Sequence, residues 1–533
     1  MNTKLGISSA KEALDAIAAL ARANSDEVGS AILQMLSGLE ARVLPPRTLL
    51  EIAEVLRSPA DDVIVGYRAG YTDRPLPLGE EESRRFGQAI ALLDALETLY
   101  QRAYETALTA APDDPVRTDP ALPLQRGMAC VVSQMIEHYR ARQSVGLALW
   151  KKLQGRMQVA ARQKLDGVPV PDALHPRGAV TPQATYGRAL LLSIAQAGAM
   201  TYRSLEATLA LTALFAHLVE SVMLDKKEGG GSAGPQDGIA GVGIKRTGRI
   251  RIVAVGGITH LVNTTKIDGE LESCIQRLGA GSRPDQIGLA TVAQADLAGL
   301  LPRLRRIWCG AGEIRESARE SLQAQSAVAI GFSEIFQFAS PGGVTMPKEF
   351  DVYQAGQVIY GNTAAQIPGL DHQANPVENW QTLDHSASGM RAKRAQPGAQ
   401  LRRGQLLAVD LNGVQKGFGF ALAEVRWLQQ FTDSEAGGIA AGVRFMSPHV
   451  QVALVRAFRL DPAHYQTVGP AFVLHEAGPQ QLVLPSGWFA PGRNVDLWCK
   501  EQLSPVKLTD LRARGADYEI VGYELTTPAK GPA

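Results

Sequence analysis

Asp384, Ser386 and Gly389 stand in the spacing D-x-S-x-x-G within LDHSASGMRAKR, residues 383–394. A carboxylate there can accept two hydrogen bonds from the N–H edge of a guanine base. The serine hydroxyl and exposed main-chain amides can add smaller contacts, and Gly389 permits either a positive φ or a close backbone approach. The same residue types also build ordinary turns, so the spacing alone leaves both readings open. Upstream, Arg315 and Arg319 form R-x-x-x-R in RESAR. Two flexible guanidinium groups so spaced can grip phosphates through paired hydrogen bonds, lie flat on a purine face, or fork onto guanine O6 and N7. The alternative for these five residues is a solvated helix face with internal Glu–Arg pairing. Arg303, Arg305 and Arg306, in PRLRRIW, are the reserve cations. Arg391, Lys393 and Arg394 follow the turn and read as exposed strand-edge charges outside the site.

Holding such groups in place requires rigid strands. Short β-branched runs separated by turn residues occur at Val328–Phe332, Leu406–Leu411, Phe418–Leu428, Gly442–Met446 and Val450–Leu460. More follow at Ala471–His475, Leu482–Pro485, Val495–Trp498 and Tyr518–Tyr523.

The order D-x-S-x-x-G, then a V-x-W strand (Val425, Trp427), then a G-V-x-F strand (Gly442, Val443, Phe445) resembles the PilZ domain, the bacterial cyclic di-GMP receptor barrel. The resemblance covers roughly 315–460 and does not extend to the N-terminal half. It implies that cyclic di-GMP is the ligand and that Arg315, Arg319, Asp384, Ser386 and Gly389 contact it. It also implies a cytoplasmic effector without catalytic residues, metal or cofactor, and an insertion at about 336–378. The alternative is a PilZ-fold interaction scaffold that no longer binds nucleotide.

At 533 residues the chain exceeds what one core can organise. We expect an α+β multidomain protein. Its N-terminal all-α helical domain spans 1–225, with long helices at about 80–110, 123–165 and 183–224. Ser9 with Glu12 signals a helix start, and Val28, Ile32, Leu36 and Leu39 recur on one helix face. KKEGGGSAGPQDGIA opens a flexible linker over 226–247. A small mixed α/β segment follows at 248–314, with a helical island from about 291 to 322. The PilZ-like β-barrel spans 315–460, a further small β segment 461–525, and a disordered tail 526–533. No internal repeat is visible. Trp488 and Trp498 read as packing residues.

Lys+Arg at 54 against Asp+Glu at 53 removes any global field for nucleic acid. Four scattered cysteines suggest neither a disulfide framework nor a zinc site. The most apolar stretch, 189–224, is divided by Arg203 and Glu206, so no membrane-spanning segment is expected. No H-E-x-x-H pair, G-x-S-x-G elbow between a strand and a helix, or Walker loop is found, nor GGDEF or EAL with its metal-binding carboxylates, the signatures of messenger-making and messenger-degrading enzymes. The expected partners are cyclic di-GMP and either a protein bound through the helical domain or a second copy of the chain.

Overall fold

The structure is a computed structural model that describes residues 6–20, 22–224, 244–247, 250–255, 257–290, 292–310, 320–340, 377–395, 398–411, 419–431, 438–447, 449–457, 467–475 and 480–526. The chain divides into two compact units. One holds Met1–Arg74, Leu78–Ile314 and Phe431–Asp433, and the other holds Pro75–Pro77, Arg315–Gln430 and Ser434–Ala533.

The first unit begins with α1 (Ala10–Ala18), α2 (Ser25–Glu40), α3 (Pro46–Tyr71), α4 (Glu80–Thr109) and the short α5 (Pro115–Thr118). Its first helix starts where the sequence signals it, with Ser9 Oγ accepting from Glu12 N at 3.3 Å. Ile32, Leu36 and Leu39 are buried and Val28 packs beside them, as their spacing predicts. The helix expected over 123–165 is two, α6 (Ala121–Arg140) and α7 (Leu147–Arg162), because Arg142 takes a left-handed φ of 54°. A two-strand clip of β1 (Val170–Pro171) and β2 (Ala179–Val180) leads into α8 (Pro182–Ile194) and α9 (Tyr202–Phe215).

The helix expected to reach residue 224 does not. Gln196 turns left-handed after α8, and Glu220–Leu224 is a strand, β3. With β4 (Ile244–Thr247), β5 (Ile250–Val255) and β6 (Ile258–Asn263) it forms an antiparallel sheet in the order β3-β6-β5-β4. Two helices follow, α10 (Thr265–Gly279), which the sequence reading did not anticipate, and α11 (Gln294–Cys309), the counterpart of the expected island. Residues 250–309 are not a separate segment: their apolar faces join α6–α9 in one core. The buried Trp308 donates its Nε1–H to Leu191 O at 2.9 Å, and Gln154 Nε2 donates to Val255 O at 2.9 Å.

The second unit contains two closed barrels. The first is built from β7 (Glu320–Ile330), β8 (Glu378–Ser386), β9 (Gly389–Arg394), β10 (Leu406–Asp410), β11 (Phe420–Gln430) and β12 (Ile439–Ser447), with α12 (Phe332–Ala339) after its first strand. The second is built from β13 (Val450–Ala457), β14 (Thr467–Leu474), β15 (Gln481–Pro485), β16 (Asn494–Cys499), β17 (Gln502–Arg514) and β18 (Tyr518–Leu525). Numbered within each barrel in chain order, both run 1-2-3-6-5-4. The topology therefore repeats where the sequence shows no repeat.

The strand at 450–457, grouped with the first barrel in the sequence reading, opens the second and pairs with β14 and β16. The chain is redirected between the barrels by a tight turn in which His449 N donates to Ser447 Oγ at 3.1 Å. A common apolar cluster joins the barrels: Phe332 and Phe336 of α12 stack near Phe472 at centroid distances of 5.1 and 6.4 Å, beside Leu406, Leu422, Leu454 and Tyr518. Trp488 and Trp498 pack against the second barrel, as expected.

Candidate functional site

The motif D-x-S-x-x-G forms the two-residue turn of the β8–β9 hairpin, with Ser386 opposite Gly389, His385 opposite Met390 and Asp384 opposite Arg391. Gly389 is needed for close approach, because a Cβ at this position would overlap the carbonyl oxygen of Val443 on β12. Phe445 N donates to Ser388 O at 2.9 Å, which ties the turn to that neighbouring strand. Ser386 is buried, and its hydroxyl donates to Gly389 O at 3.2 Å. This bond helps to close the turn.

Asp384 is brought to the outer wall by an irregularity. Thr382 pairs with the buried Ala392, and the next pair is Asp384 with Arg391, so Leu383 is an extra residue in β8. Strict alternation would turn Asp384 inward beside Thr382; the bulge carries it to the outside. There its Oδ2 lies 2.9 Å from Arg391 Nε, although that Nε–H makes no aligned hydrogen bond within the described residues.

A second bulge does the same for Trp427. Val425 pairs with the buried Val443, then Trp427 with Gly442, leaving Arg426 as the extra residue of β11. Gly442 is also opposite Arg391. The indole lies directly over Gly442, where any Cβ would collide with its Nε1 edge. One row therefore crosses four strands on the outer wall in the order Asp384, Arg391, Gly442, Trp427. The adjacent row runs Ser386, Gly389, Arg444, Glu424, with Arg444 Nη2 at 2.9 Å and Arg426 Nη1 at 3.2 Å from Glu424 Oε2.

Chemically this wall offers an aromatic plane for a base to stack on. Beside it are a carboxylate paired with Arg391 and guanidinium groups of the kind that meet phosphate or guanine O6 and N7.

Arg391 and Trp427 were not among the expected site residues. The first was legible, since a two-residue turn between 386 and 389 sets 384 against 391. The outward turn of Trp427 depends on the bulge at Arg426, which no local signal announces. Arg394, read as an exposed edge charge, is buried: both carboxylate oxygens of Glu378 accept from its Nη1 at 2.6 Å, and its guanidinium sits 5.7 Å from the Trp380 ring centroid. Arg315 and Arg319 lie outside the described residues. Of the reserve cations, Arg305 is engaged with Asp268 at 2.7 Å and with Glu272, where it ties α11 to α10.

The chain is thus a multidomain protein in which a helical unit is followed by tandem barrels, the first with an indole and ion-paired groups on its outer wall. Two models of a single family match the chain, "Cyclic-di-GMP receptor FimW, N-terminal domain" over residues 11–225 and "FimW C-terminal beta-barrel domain" over 466–526. Together they span just over half of the sequence, and the chain belongs to this family of cyclic-di-GMP receptors. Neither match includes the first barrel, residues 320–447. No curated protein matches. Among solved structures, the insecticidal delta-endotoxin Cry8Ea1 of Bacillus thuringiensis aligns over 98% of this chain and 70% of that one at 8% identity, with a TM-score of 0.15, and carries no argument.

Proposed function

We propose that the first barrel is the PilZ-like module of this receptor and binds cyclic di-GMP on the wall formed by β8, β9, β12 and β11. The observation that carries this reading is the row Asp384–Arg391–Gly442–Trp427 beside the D-x-S-x-x-G turn. Asp384 would receive a guanine N–H edge, Trp427 would stack a base, and Arg391 would face a phosphate or the guanine O6/N7 edge. Arg319 is the covalent neighbour of Glu320, which pairs with His385 beside Asp384. On this reading Arg315 and Arg319 supply the phosphate clamp.

The protein would read the messenger in the cytoplasm and pass its level to a protein partner or a second copy through the helical unit. It would catalyse no reaction and need no cofactor. Among the described residues no helix is long and apolar enough to cross a membrane.

Isothermal titration of the full chain with cyclic di-GMP tests the site, with cyclic di-AMP, which lacks the guanine N–H edge, as control. Binding that is lost in Asp384→Ala, Trp427→Ala and Arg319→Ala supports it. The existing Asp384–Arg391 pair favours one second reading, a barrel that serves as an interaction scaffold. Absence of heat at high protein concentration would select that reading.

A further inference from the structure

We propose that the helical unit contains a separate binding pocket for a small phosphate-bearing organic anion, centred on Arg188. A cavity of about 490 Å³ lies among α3, α4, α6, the β1–β2 clip and α8, a volume within the range of small-molecule sites. Part of its lining is apolar, with Ile64, Leu93, Leu96, Val132 and Ile136. Among these stand five arginines (Arg57, Arg68, Arg140, Arg177 and Arg188) against three carboxylates.

Two of those carboxylates are already shared between cations. Asp172 Oδ2 meets Arg57 at 2.8 Å and Arg126 at 3.2 Å, while Glu137 Oε1 meets Arg68 at 2.9 Å and Arg140 at 2.7 Å. The third, Asp61, is 4.0 Å from Arg68. Arg188 is left with a single backbone contact, Nη2 to Leu209 O at 3.3 Å, and its buried Nε has no hydrogen-bond partner among the described residues. Burial and the like charge of Arg140 pull its pKa down to about 10.

The carboxylate whose charge does reach Arg188, Glu206, is already bonded to Arg140 through both oxygens, and a guanidinium with a buried donor left unsatisfied is retained where a ligand supplies the missing acceptor. Thr181, the N-cap of α8, and Ala184 and Thr185 in its first turn also line the cavity, which sets the positive end of that helix dipole beside it. Arg177 stands exposed at the rim, close enough for its charge and that of Arg188 to act on the rim histidine His175. A lining that mixes positive groups with apolar side chains selects an anion with an apolar body over a bare ion.

Phenyl phosphate is the minimal probe, with phenol as the uncharged control. Thermal melting of the full chain should rise with phenyl phosphate up to roughly 10 mM and not respond to phenol. Arg188→Gln removes a charge disfavoured by burial and by the like charge of Arg140, so it should melt at or above wild type yet lose the phenyl phosphate response. Arg177→Gln, at the exposed rim, should weaken the response several-fold without a folding defect. Asp384→Ala should keep the response in full, so this proposal and the barrel reading stand or fall separately. No response in wild type, or an undiminished response in Arg188→Gln, overturns it.

Discussion

Asp384 Oδ2 and Arg391 Nε face each other at 2.9 Å across the β8–β9 hairpin, on the outer wall of the first barrel. The pair is partly exposed, so it contributes little to stability by itself. It holds a carboxylate and a guanidinium side by side in the row that ends at the Trp427 indole, and on the proposed reading these meet the donor edge of a base and an anionic or acceptor group.

Replacing either partner should weaken cyclic di-GMP binding and leave the fold intact. Charge-assisted hydrogen bonds contribute about 1.5–3 kcal/mol each, so Asp384→Ala and Arg391→Ala should each cost roughly tenfold to a hundredfold in affinity. Titration calorimetry with matched urea melts checks both halves of this statement.

Trp427→Ala should cost about 1–3 kcal/mol of binding if the indole is a stacking plane. Gly442→Ala should act in the same direction without touching the ligand, because its methyl would displace the indole that lies over Gly442. Unchanged affinity in Gly442→Ala, with the indole shown by fluorescence to have moved, would remove Trp427 from the site.

Gly389→Ala should destabilise the first barrel by roughly 1–3 kcal/mol, since the added Cβ meets the rigid backbone carbonyl of Val443 and no flexible side chain can yield. Chemical denaturation followed by hydrogen exchange over residues 378–394 is the measurement.

Phe472→Ala should weaken both barrels together. Phe472 is fully buried against Phe332 and Phe336 of α12 within the cluster shared by the barrels, so a loss of about 3–5 kcal/mol is expected. Increased exchange confined to β13–β18 would contradict a shared core.

Acid should loosen the helical unit in a defined window. His260 is buried, with Nε2 2.5 Å from Tyr186 Oη, and burial lowers its pKa from 6.5 to about 4. Above pH 6.5 neither the folded nor the unfolded chain binds this proton. Between 6.5 and 4 the unfolded chain takes it up and the folded one does not, so stability falls as pH drops through that window, by up to about 3 kcal/mol in all. His138, His175 and His217 are also lowered by burial and act in the same sense. His260→Gln should therefore shallow the acid slope of the melting temperature without flattening it.

Much of the architecture is legible in the chain because it is local. The Ser9 cap, the one-sided spacing of Ile32, Leu36 and Leu39, the change of texture near residue 226 and the β-branched runs of the barrels each follow from a few neighbouring residues and their backbone preferences. The turn at Ser386–Gly389 belongs with them, and through it the opposition of Asp384 and Arg391.

What tertiary structure decided are relations between distant residues. Extra residues at Leu383 and Arg426 reverse the facing of Asp384 and Trp427, because a bulge is chosen by how a whole strand fits its closed barrel. Strand β3 leaves the helical pattern to pair with β6, where Glu220 meets Asn263. Two barrels share one topology without a shared sequence pattern, and Arg188 has no carboxylate at ion-pair distance among the described residues while Asp172 and Glu137 serve two arginines each. None of these can be read from spacing, since each is settled by which surfaces and charges packing brings together once the local elements exist.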